Sequence, residues 1–322
     1  MSSNREQFGS RLGFILAAAG SAVGIGNLVG FPVNAAKNGG GAFLLIYAIC
    51  VVVLCLPVMM AELSLGRHTR KDPMGAYKSI AGNSPWRIAG WLALLTPFMI
   101  AVFYAVITVW LLGYLVNAAI GNLDQLAQPD TFGLFINSNS IFVYLAAVAA
   151  IIFLILANGV KDGIEKAAKV LMPALFVFLI GLVIFVLTLD NAWAGVTYYM
   201  VPDFSKINGA VISGALSQAF FSLSLGMGIL ITYGSYMNKN EDLPGATKMV
   251  ALCDTGVAFA AGLLILPAVF SFNPDIKPEE LSDSSVSLIF SFLPKIFLAL
   301  QGTLGYVGAS VVATLFFTLV FF

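Results

Sequence analysis

Long apolar runs, separated by short polar segments, account for most of the chain. An α-helix needs about 20 mainly apolar residues to cross the hydrocarbon core of a membrane. Eight runs have that length and predict eight membrane-spanning helices, here called spans one to eight, over residues 11–36, 41–66, 87–119, 140–158, 168–189, 211–236, 246–271 and 304–322. The connection 273–303 holds a further apolar stretch that Pro294 and Lys295 interrupt, which predicts a surface or re-entrant helix. The pattern therefore predicts an all-α polytopic membrane protein.

Spans one and six are interrupted at mid-helix by glycines and small polar residues. Span one contains GSAVGIGNLVGFP, Gly20 to Pro32, and span six contains FFSLSLGMG, Phe220 to Gly228. Unpaired backbone groups are costly in lipid, so such breaks are tolerated only where something binds the freed groups. Breaks at matching positions in two halves of a chain are typical of a transporter that binds its substrate at the bilayer midplane. Alternatively, the glycines could form a close packing face between helices.

The composition agrees with this class and argues against others. Hydrophobic residues make up 59% of the 322 residues and charged residues 10%, against about 25% in soluble domains. The formal net charge is zero, so we expect no nucleic-acid partner. The sequence has one histidine, His68, and no grouping of a nucleophile, a base and an orienting residue. We therefore expect no enzyme activity, and we expect the lipid bilayer and a small substrate as partners.

The distribution of Lys and Arg predicts the orientation in the cell membrane. With the N-terminus in the cytoplasm, 12 of the 16 Lys and Arg residues lie in cytoplasmic segments or the adjoining helix ends. Positive residues are enriched on the cytoplasmic side of membrane proteins. The N-terminus is therefore predicted to be cytoplasmic.

The sequences around the two breaks resemble a known family. Residues 5–68, which include GSAVGIGNLVGFP and end in AELSLGRH, and the segment SQAFFSLSLGMGILITYGSY from Ser217 to Tyr236 resemble the neurotransmitter:sodium symporter family, in particular its bacterial amino-acid transporters. The likeness covers essentially the whole chain. It implies sodium-coupled symport of an amino acid or a similar small carboxylate by alternating access. The alternative is a truncated membrane protein that does not transport and has a structural or partner-binding role.

The resemblance also implies a fold of two inverted five-helix repeats in which helices 1 and 6 are broken. Residues 1–190 would form the first repeat. Residues 191–322 would form an incomplete second repeat, with helices 6 and 7, part of helix 8 and a long extracellular loop over 273–303. Because the last apolar run reaches Phe322 without a polar flank, we expect the chain to be truncated within the eighth helix.

Two sodium sites at the breaks are implied by the same resemblance. The first would use the Ala22 carbonyl, the side chains of Asn27, Ser222 and Asp254, and the substrate carboxylate. The second would use the carbonyls of Gly20 and Val23, with its other ligands from span eight beyond the end of the sequence. Asp254 and Glu62 both lie inside apolar runs, where an acidic residue costs about 2.5 to 3.5 kcal/mol. We expect Asp254 to bind sodium directly and Glu62 to bond to the unwound backbone of spans one and six.

The substrate site implied by the resemblance draws on spans one, three and six. Its residues would be Ser21, Ala22, Gly24, Ile25, Gly26, Ile100, Tyr104, Phe221, Ser222, Ser224 and Met227. Tyr104 would hydrogen-bond the substrate carboxylate, and Phe221 would form an outer lid. Taken alone, Tyr104, Phe221 and Met227 could equally be packing side chains. Gly24 stands where monoamine transporters have an aspartate, which favours a substrate with its own carboxylate.

The resemblance to the family is less complete at the gates and at the chloride site. Arg5, Ser235 and Tyr236 resemble the inner gate of the family, although Arg5 could equally be an ordinary cytoplasmic positive residue. Gly30 stands where many relatives have a basic residue, so the usual outer salt bridge cannot form. For chloride, the matching positions are Tyr47, Gln218 and Ser222. Ala258 replaces the serine of chloride-dependent relatives, and the Asp254 charge favours independence from chloride.

Overall fold

The computed structural model describes residues 8–82, 84–157, 166–276, 280 and 286–321, and these residues are helical with connecting turns and contain no β-strand. The α-helices of the described residues, α1 to α16 in chain order, are Arg11–Ala22, Phe31–Lys37, Gly41–Cys50, Leu56–Thr69, Pro73–Ala81, Ile88–Ala119, Leu123–Leu126, Thr131–Ile136, Ser140–Ala157, Lys166–Val186, Ala192–Met200, Gly209–Ser222, Ile229–Tyr236, Leu243–Phe272, Ser287–Ala299 and Gln301–Phe321. The predicted all-α class is confirmed.

The long helices coincide with the predicted spans. Among the described residues, five helices are long and apolar enough to cross a membrane: Gly41–Thr69, Pro85–Ala119, Ala168–Val186, Leu243–Phe272 and Gln301–Phe321. A sixth span results if the bent pair of Arg11–Ala22 and Gly26–Lys37 is one span. The two remaining predicted spans correspond to α9 and to the pair of α12 and α13. Ser140–Leu154 of α9 and Gly209–Ser222 of α12 are shorter apolar helices, and α13 has 8 residues.

Span one is broken where its sequence predicts a break. The side chain of Ser10 caps α1 by accepting a hydrogen bond from the Gly13 N–H at 3.0 Å, and α1 ends at Ala22. Val23 is extended, with φ −73° and ψ 117°. A π-helical turn over Gly26–Gly30 then leads into α2, and the two halves are bent by 50°. π-turns of this kind are frequent at functional sites.

Span six is broken by three residues with left-handed backbone. α12 ends at Ser222, and the chain then passes through Ser224 with φ 56°, Gly226 with φ 74° and Gly228 with φ 70° before α13 begins at Ile229. Glycine adopts positive φ without strain because it has no Cβ, which accounts for Gly226 and Gly228. Ser224 is a non-glycine residue held there by the surrounding fold, as is common at binding sites.

The two broken helices meet against α14. The π-turn of span one contacts α12 and α14, and α1 also contacts α14. α14 is buried along much of its length, including Asp254 and Ala258 at its centre. The packing therefore brings both breaks and the Asp254 carboxylate to one place inside the bundle.

The α4–α13 interface depends on glycines that let two backbones touch. A methyl group at Gly66 of α4 would lie 2.8 Å from the Ile231 carbonyl carbon and 2.9 Å from the Ser235 nitrogen on α13. A methyl group at Gly234 of α13 would in turn lie 3.0 Å from the Leu63 Cα on α4. Small residues allow this close approach in membrane proteins, where helix packing depends on van der Waals contact.

The apolar stretch between spans seven and eight forms α15, which packs on the protein. Ile289, Phe290 and Phe297 are each no more than 1% exposed. The Phe290 ring stacks on Phe132 of α8, with ring centroids 5.0 Å apart. α15 also contacts α14 and α16. It is a short helix that closes over one end of the bundle, in keeping with the prediction that it is not a span.

Candidate functional site

A fully buried polar cluster lies where the two breaks meet α14. Asn27 of the span-one turn, Ser222 of α12 and Asp254 of α14 are exposed by 0%, 1% and 0%. The Asn27 Nδ2 donates to the Asp254 Oδ1 at 2.7 Å and to the Asp254 backbone carbonyl at 3.0 Å. The Ser222 hydroxyl donates to the Asp254 Oδ2 at 2.8 Å. Three elements far apart in sequence thus converge on one carboxylate.

The donors to this carboxylate are neutral, so they do not balance its charge. A buried carboxylate is unfavourable unless a cation or a proton accompanies it. The cluster also contains the Asn27 amide oxygen and the Ser222 hydroxyl oxygen, and oxygen atoms are the ligands that hard cations prefer. The arrangement is therefore suited to a small cation.

The break in span one supplies backbone groups beside this cluster. The last carbonyl groups of a helix lack partners within it and carry a partial negative charge. At the end of α1 the Gly24 N–H donates to the Asn27 Oδ1 at 3.3 Å, which ties the break to the cluster. The Gly24 carbonyl accepts from the Asn27 and Leu28 N–H groups, both at 3.0 Å.

A cavity of about 420 Å³ opens beside the break, between α1, α6, α10 and the end of α16. Its lining contains Gly20, Ser21, Val23, Gly24, Ile25, Tyr104 and Tyr233, with Ala17, Leu28, Thr108, Ala168, Leu171, Met172, Leu175, Leu319, Val320 and Phe321. A volume of this size falls in the range of small-molecule sites, about 300 to 1,000 Å³. The lining combines a mainly apolar wall with a few polar groups.

Tyr104 and Phe221 meet over Gly26. Their rings are edge to face with centroids 6.0 Å apart. A methyl group at Gly26 would lie 3.2 Å from both the Tyr104 hydroxyl oxygen and the Phe221 Cε1. Gly26 therefore allows the two aromatic side chains to lie against the broken backbone.

The predicted site residues fall into two groups. Six of them line the cavity: Gly20, Ser21, Val23, Gly24, Ile25 and Tyr104. The other predicted residues, which are absent from that lining, are Ala22, Gly26 and Asn27 in span one, Ile100 one turn before Tyr104 on α6, Phe221, Ser222, Ser224 and Met227 in span six, and Asp254 in α14. Asn27, Ser222 and Asp254 form the buried cluster, and Phe221 and Gly26 contact Tyr104.

Glu62 binds the break in span six. Its Oε1 accepts a hydrogen bond from the Gly226 N–H at 2.7 Å. Its Oε2 is buried and has no hydrogen-bond partner among the described residues. The expected bond to span six is observed, whereas the hydrogen bonds of the described residues include none from Glu62 to span one. Glu62 thus holds the unwound segment from α4.

We expect Glu62→Leu to destabilise the protein because the Gly226 N–H loses its acceptor. The cost of an unsatisfied buried donor is about 1 to 3 kcal/mol. Glu62→Gln is the matched control, because its amide oxygen still accepts the bond. Thermal unfolding in detergent measures both variants, and equal stability of the two would contradict the assigned role.

The predicted inner-gate residues lie at the end of α13. The Ser235 hydroxyl donates to the Thr232 carbonyl at 2.6 Å, and the Ser235 carbonyl accepts from Arg70 at 3.3 Å. The Tyr236 carbonyl accepts from the Phe8 N–H at 3.3 Å. Arg5 lies outside the described residues. Residue 8 therefore joins the start of the chain to α13 at the gate position.

Arg11 makes a second link at this end of the protein. Its Nε lies 3.2 Å from the Glu241 Oε1, and its Nη2 lies 3.5 Å from the Asp242 Oδ2. The Arg11 side chain is 51% exposed, so these ion pairs contribute little to stability.

The positions predicted for chloride are buried, and two of them are occupied by internal hydrogen bonds. The Gln218 Nε2 donates to the Gly26 carbonyl at 3.0 Å, and the Ser222 hydroxyl donates to Asp254. Tyr47 and Ala258 are both 0% exposed. The Tyr47 ring packs edge to face on Phe31, with centroids 4.9 Å apart.

Several residues in and around the site were missed from the sequence. Thr108 and Met172 line the cavity. Thr108 lies one helical turn after Tyr104, so i, i+4 spacing on α6 could have identified it. Met172 lies on α10, and nothing in its apolar surroundings distinguishes it. Asn34, which donates to the Gln218 Oε1 at 2.8 Å, was also missed.

Comparison with known proteins gives consistent matches over almost the whole chain. The model of the sodium:neurotransmitter symporter family matches residues 5–127 and 135–322. The chain is 39% identical over 307 residues to the uncharacterised sodium-dependent transporter YhdH of Bacillus subtilis, a match that covers 94% of this chain and 67% of that protein. It is 37% identical to an uncharacterised sodium-dependent transporter of Methanocaldococcus jannaschii, covering 90% of this chain and 62% of that protein.

A solved structure matches the fold as well. The crystal structure of MhsT in complex with L-phenylalanine superposes with a TM-score of 0.88 at 41% sequence identity, covering 99% of this chain and 70% of that one. The chain thus spans between 62% and 70% of the length of these three proteins.

Proposed function

The chain belongs to the sodium:neurotransmitter symporter family, and we propose that it carries out sodium-coupled symport of an amino acid by alternating access around its two broken helices. The observation that carries this proposal is the buried Asp254 carboxylate, which lies between both breaks and, among the described residues, accepts side-chain hydrogen bonds from the neutral donors of Asn27 and Ser222. The chain is a multi-pass membrane protein of a transporter family, and this assignment excludes an enzyme.

Sodium is the cation that we assign to the cluster. The proposed first site uses the Ala22 carbonyl with Asn27, Ser222 and Asp254, and the substrate carboxylate completes it. The proposed second site uses the carbonyls of Gly20 and Val23, both of which line the cavity. Because the first ion contacts the substrate, binding of one favours binding of the other, which couples the two.

An amino acid with an apolar side chain fits the cavity chemistry. Gly24 lines the cavity, and because glycine has no side chain this position supplies no charge to a substrate amine. Met172, Leu175 and Ile25 give the wall its apolar character. MhsT, the structural neighbour, binds L-phenylalanine in its crystal. We propose that Tyr104 binds the substrate carboxylate and that Phe221 covers it.

The remaining predictions stand as parts of the same proposal. The N-terminus is cytoplasmic, so the α2 and α12 halves of the broken helices face outside and the α1 and α13 halves face inside. Residues 1–190 form the first repeat, and residues 191–322 contribute part of the second. Arg5, Ser235 and Tyr236 belong to the inner gate. The charge of Asp254 favours independence from chloride.

Uptake into proteoliposomes tests this function. Radiolabelled neutral amino acids should accumulate when an inward sodium gradient is imposed. Uptake should be lost when potassium replaces sodium or when the ionophore gramicidin removes the gradient. Phenylalanine, leucine and alanine form the first panel, with dopamine as the amine lacking a carboxylate. Absence of sodium-dependent uptake and of sodium-dependent binding for every amino acid would overturn the proposal.

A further inference from the structure

A row of neutral amide side chains joins the outer halves of the two broken helices. The Asn38 Nδ2 donates to the backbone carbonyl of Asn34 at 2.8 Å, and the Asn34 Nδ2 donates to the Gln218 Oε1 at 2.8 Å. The Gln218 Nε2 then donates to the Gly26 carbonyl at 3.0 Å. We call Asn34 and Gln218 the amide ladder; Asn38 lies one turn further out and is not part of it. The ladder leads from Asn34 in α2 to the break in span one.

The partners of the ladder fix the orientation of Gln218. The Gly26 carbonyl can only accept, so Gln218 must present its amide nitrogen to it. The Gln218 oxygen then faces Asn34, which must donate. Gln218 is 3% exposed, so the reversed amide would place oxygen against oxygen without water to relieve it. The N–H group of Asn34 therefore selects the Gln218 orientation that reaches Gly26.

The sequence leaves space for this arrangement. Gly30, the N-cap of α2, and Asn34 are four positions apart, so they lie on the same side of this helix. A methyl group at Gly30 would already lie 3.6 Å from the Gln218 Oε1, so the glycine leaves the space beside the ladder free. Gly214 on α12 does the same for Asn38, because a methyl group there would lie 3.0 Å from the Asn38 amide.

Gly26 links the ladder to the candidate site. Its carbonyl also accepts from the Phe31 N–H, which closes the π-turn. Its Cα faces Tyr104 and Phe221, the proposed carboxylate ligand and lid. A change in the Gln218 bond therefore acts on the backbone that these two side chains cover.

We propose that Asn34 is a positioning residue that holds the Gln218 amide against the Gly26 carbonyl, and that the uncharged amide ladder closes the outer side of the transport site. This proposal rests on the proposed function, which defines the outer side of the transport site. It explains how a chain with Gly30 in place of a basic residue closes this side. Since the ladder has no net charge, its strength does not depend on ionic strength.

Access of a thiol reagent to the cavity measures closure without requiring transport. The reporter is Thr108→Cys, a cavity-lining position, in protein whose Cys50, Cys55 and Cys253 are replaced by alanine. A membrane-impermeant maleimide is added from outside. Asn34→Asp and Asn34→Leu keep the approximate shape but cannot donate. We expect both to raise the labelling rate about 5- to 10-fold, the effect of losing one hydrogen bond.

Asn38→Asp is the matched control, because it adds the same charge one turn further out and leaves the Asn34–Gln218 bond intact. It should label at the parent rate. A residue that acts through Gln218 adds nothing once Gln218 is changed, so Asn34→Leu with Gln218→Leu should label no faster than Gln218→Leu alone. If the Asn34 variants do not fold, Gln218→Glu, which cannot donate to Gly26, should give the same rise.

Transport kinetics provide the second readout. In the Asn34 variants the maximal uptake rate per folded protein should fall about 5- to 10-fold, while the sodium concentration for half-maximal uptake does not rise. Parent labelling rates in both Asn34 variants, or additive effects of the two leucine changes, would overturn the role of Asn34. Failure of all amino-acid uptake in the parent protein would instead overturn the proposed function, and labelling would still decide the role of the ladder.

Discussion

Replacing Asp254 by asparagine is expected to raise the sodium concentration for half-maximal amino-acid binding about 100-fold. The asparagine keeps the shape and can still accept from Asn27, which lies 2.7 Å from the carboxylate. It removes the charge that the neutral cluster leaves for the cation to balance. Because the proposed sodium ion also contacts the substrate, amino-acid affinity at fixed sodium should fall as well.

Sodium titration of radiolabelled amino-acid binding to purified protein measures this effect. Ser222→Ala keeps the charge and loses one neutral donor, so its shift should be about 10-fold or less. Asp203→Asn removes a carboxylate from an exposed segment and should leave the titration unchanged. A wild-type sodium titration in Asp254→Asn, with normal elution on gel filtration, would rule out Asp254 as a sodium ligand.

Replacing Gly66 by alanine is expected to lower the thermal unfolding temperature by about 5 to 10 °C. The added methyl group would lie 2.8 Å from the Ile231 carbonyl carbon and 2.9 Å from the Ser235 nitrogen. Both are backbone atoms, so the strain can be relieved only by moving α4 away from α13. Such a movement would also displace the hydrogen bond from Gly226 to Glu62, since Glu62 lies on α4 and Gly226 lies three residues before the start of α13.

Gly181→Ala is the control for this change. Gly181 also lies inside a long helix, α10, but a methyl group there would meet nothing within 4 Å. Alanine favours the helix over glycine by about 1 kcal/mol, so Gly181→Ala should be neutral or slightly stabilising. Thermal unfolding followed by a thiol-reactive dye or by circular dichroism measures both. Unfolding of Gly66→Ala at the temperature of Gly181→Ala would mean that the interface tolerates the methyl group.

The broken helices were the most informative feature of the sequence. Glycine at positive φ is required at Gly226 and Gly228, and both glycines stand inside an apolar run where they would otherwise weaken a span. By contrast, the π-turn of span two over Val51–Cys55 has the sequence VVVLC, and its side chains give no sign of it. A sequence pattern reveals a break in a helix only where its residue types, such as glycine inside an apolar run, destabilise a regular helix.

The partners of the site residues were harder to predict from the sequence. The sequence identified Asp254 as a costly carboxylate in an apolar run, and the resemblance added Asn27 and Ser222. The role of Asn34 was missed because asparagine near a helix end is common and usually binds backbone or water. Its bond to Gln218 joins residues 184 positions apart.

The sequence by itself determined the helical membrane class, the positions of the two breaks and the presence of a buried carboxylate. These follow from local costs, since apolar length, glycine and burial of charge are properties of each segment. The tertiary structure decided which polar groups meet. Asn27 reaches Asp254 across 227 positions, and Glu62 reaches Gly226 across 164. Such pairs depend on how the helices pack, and hydrogen bonds form only at short distances and defined angles.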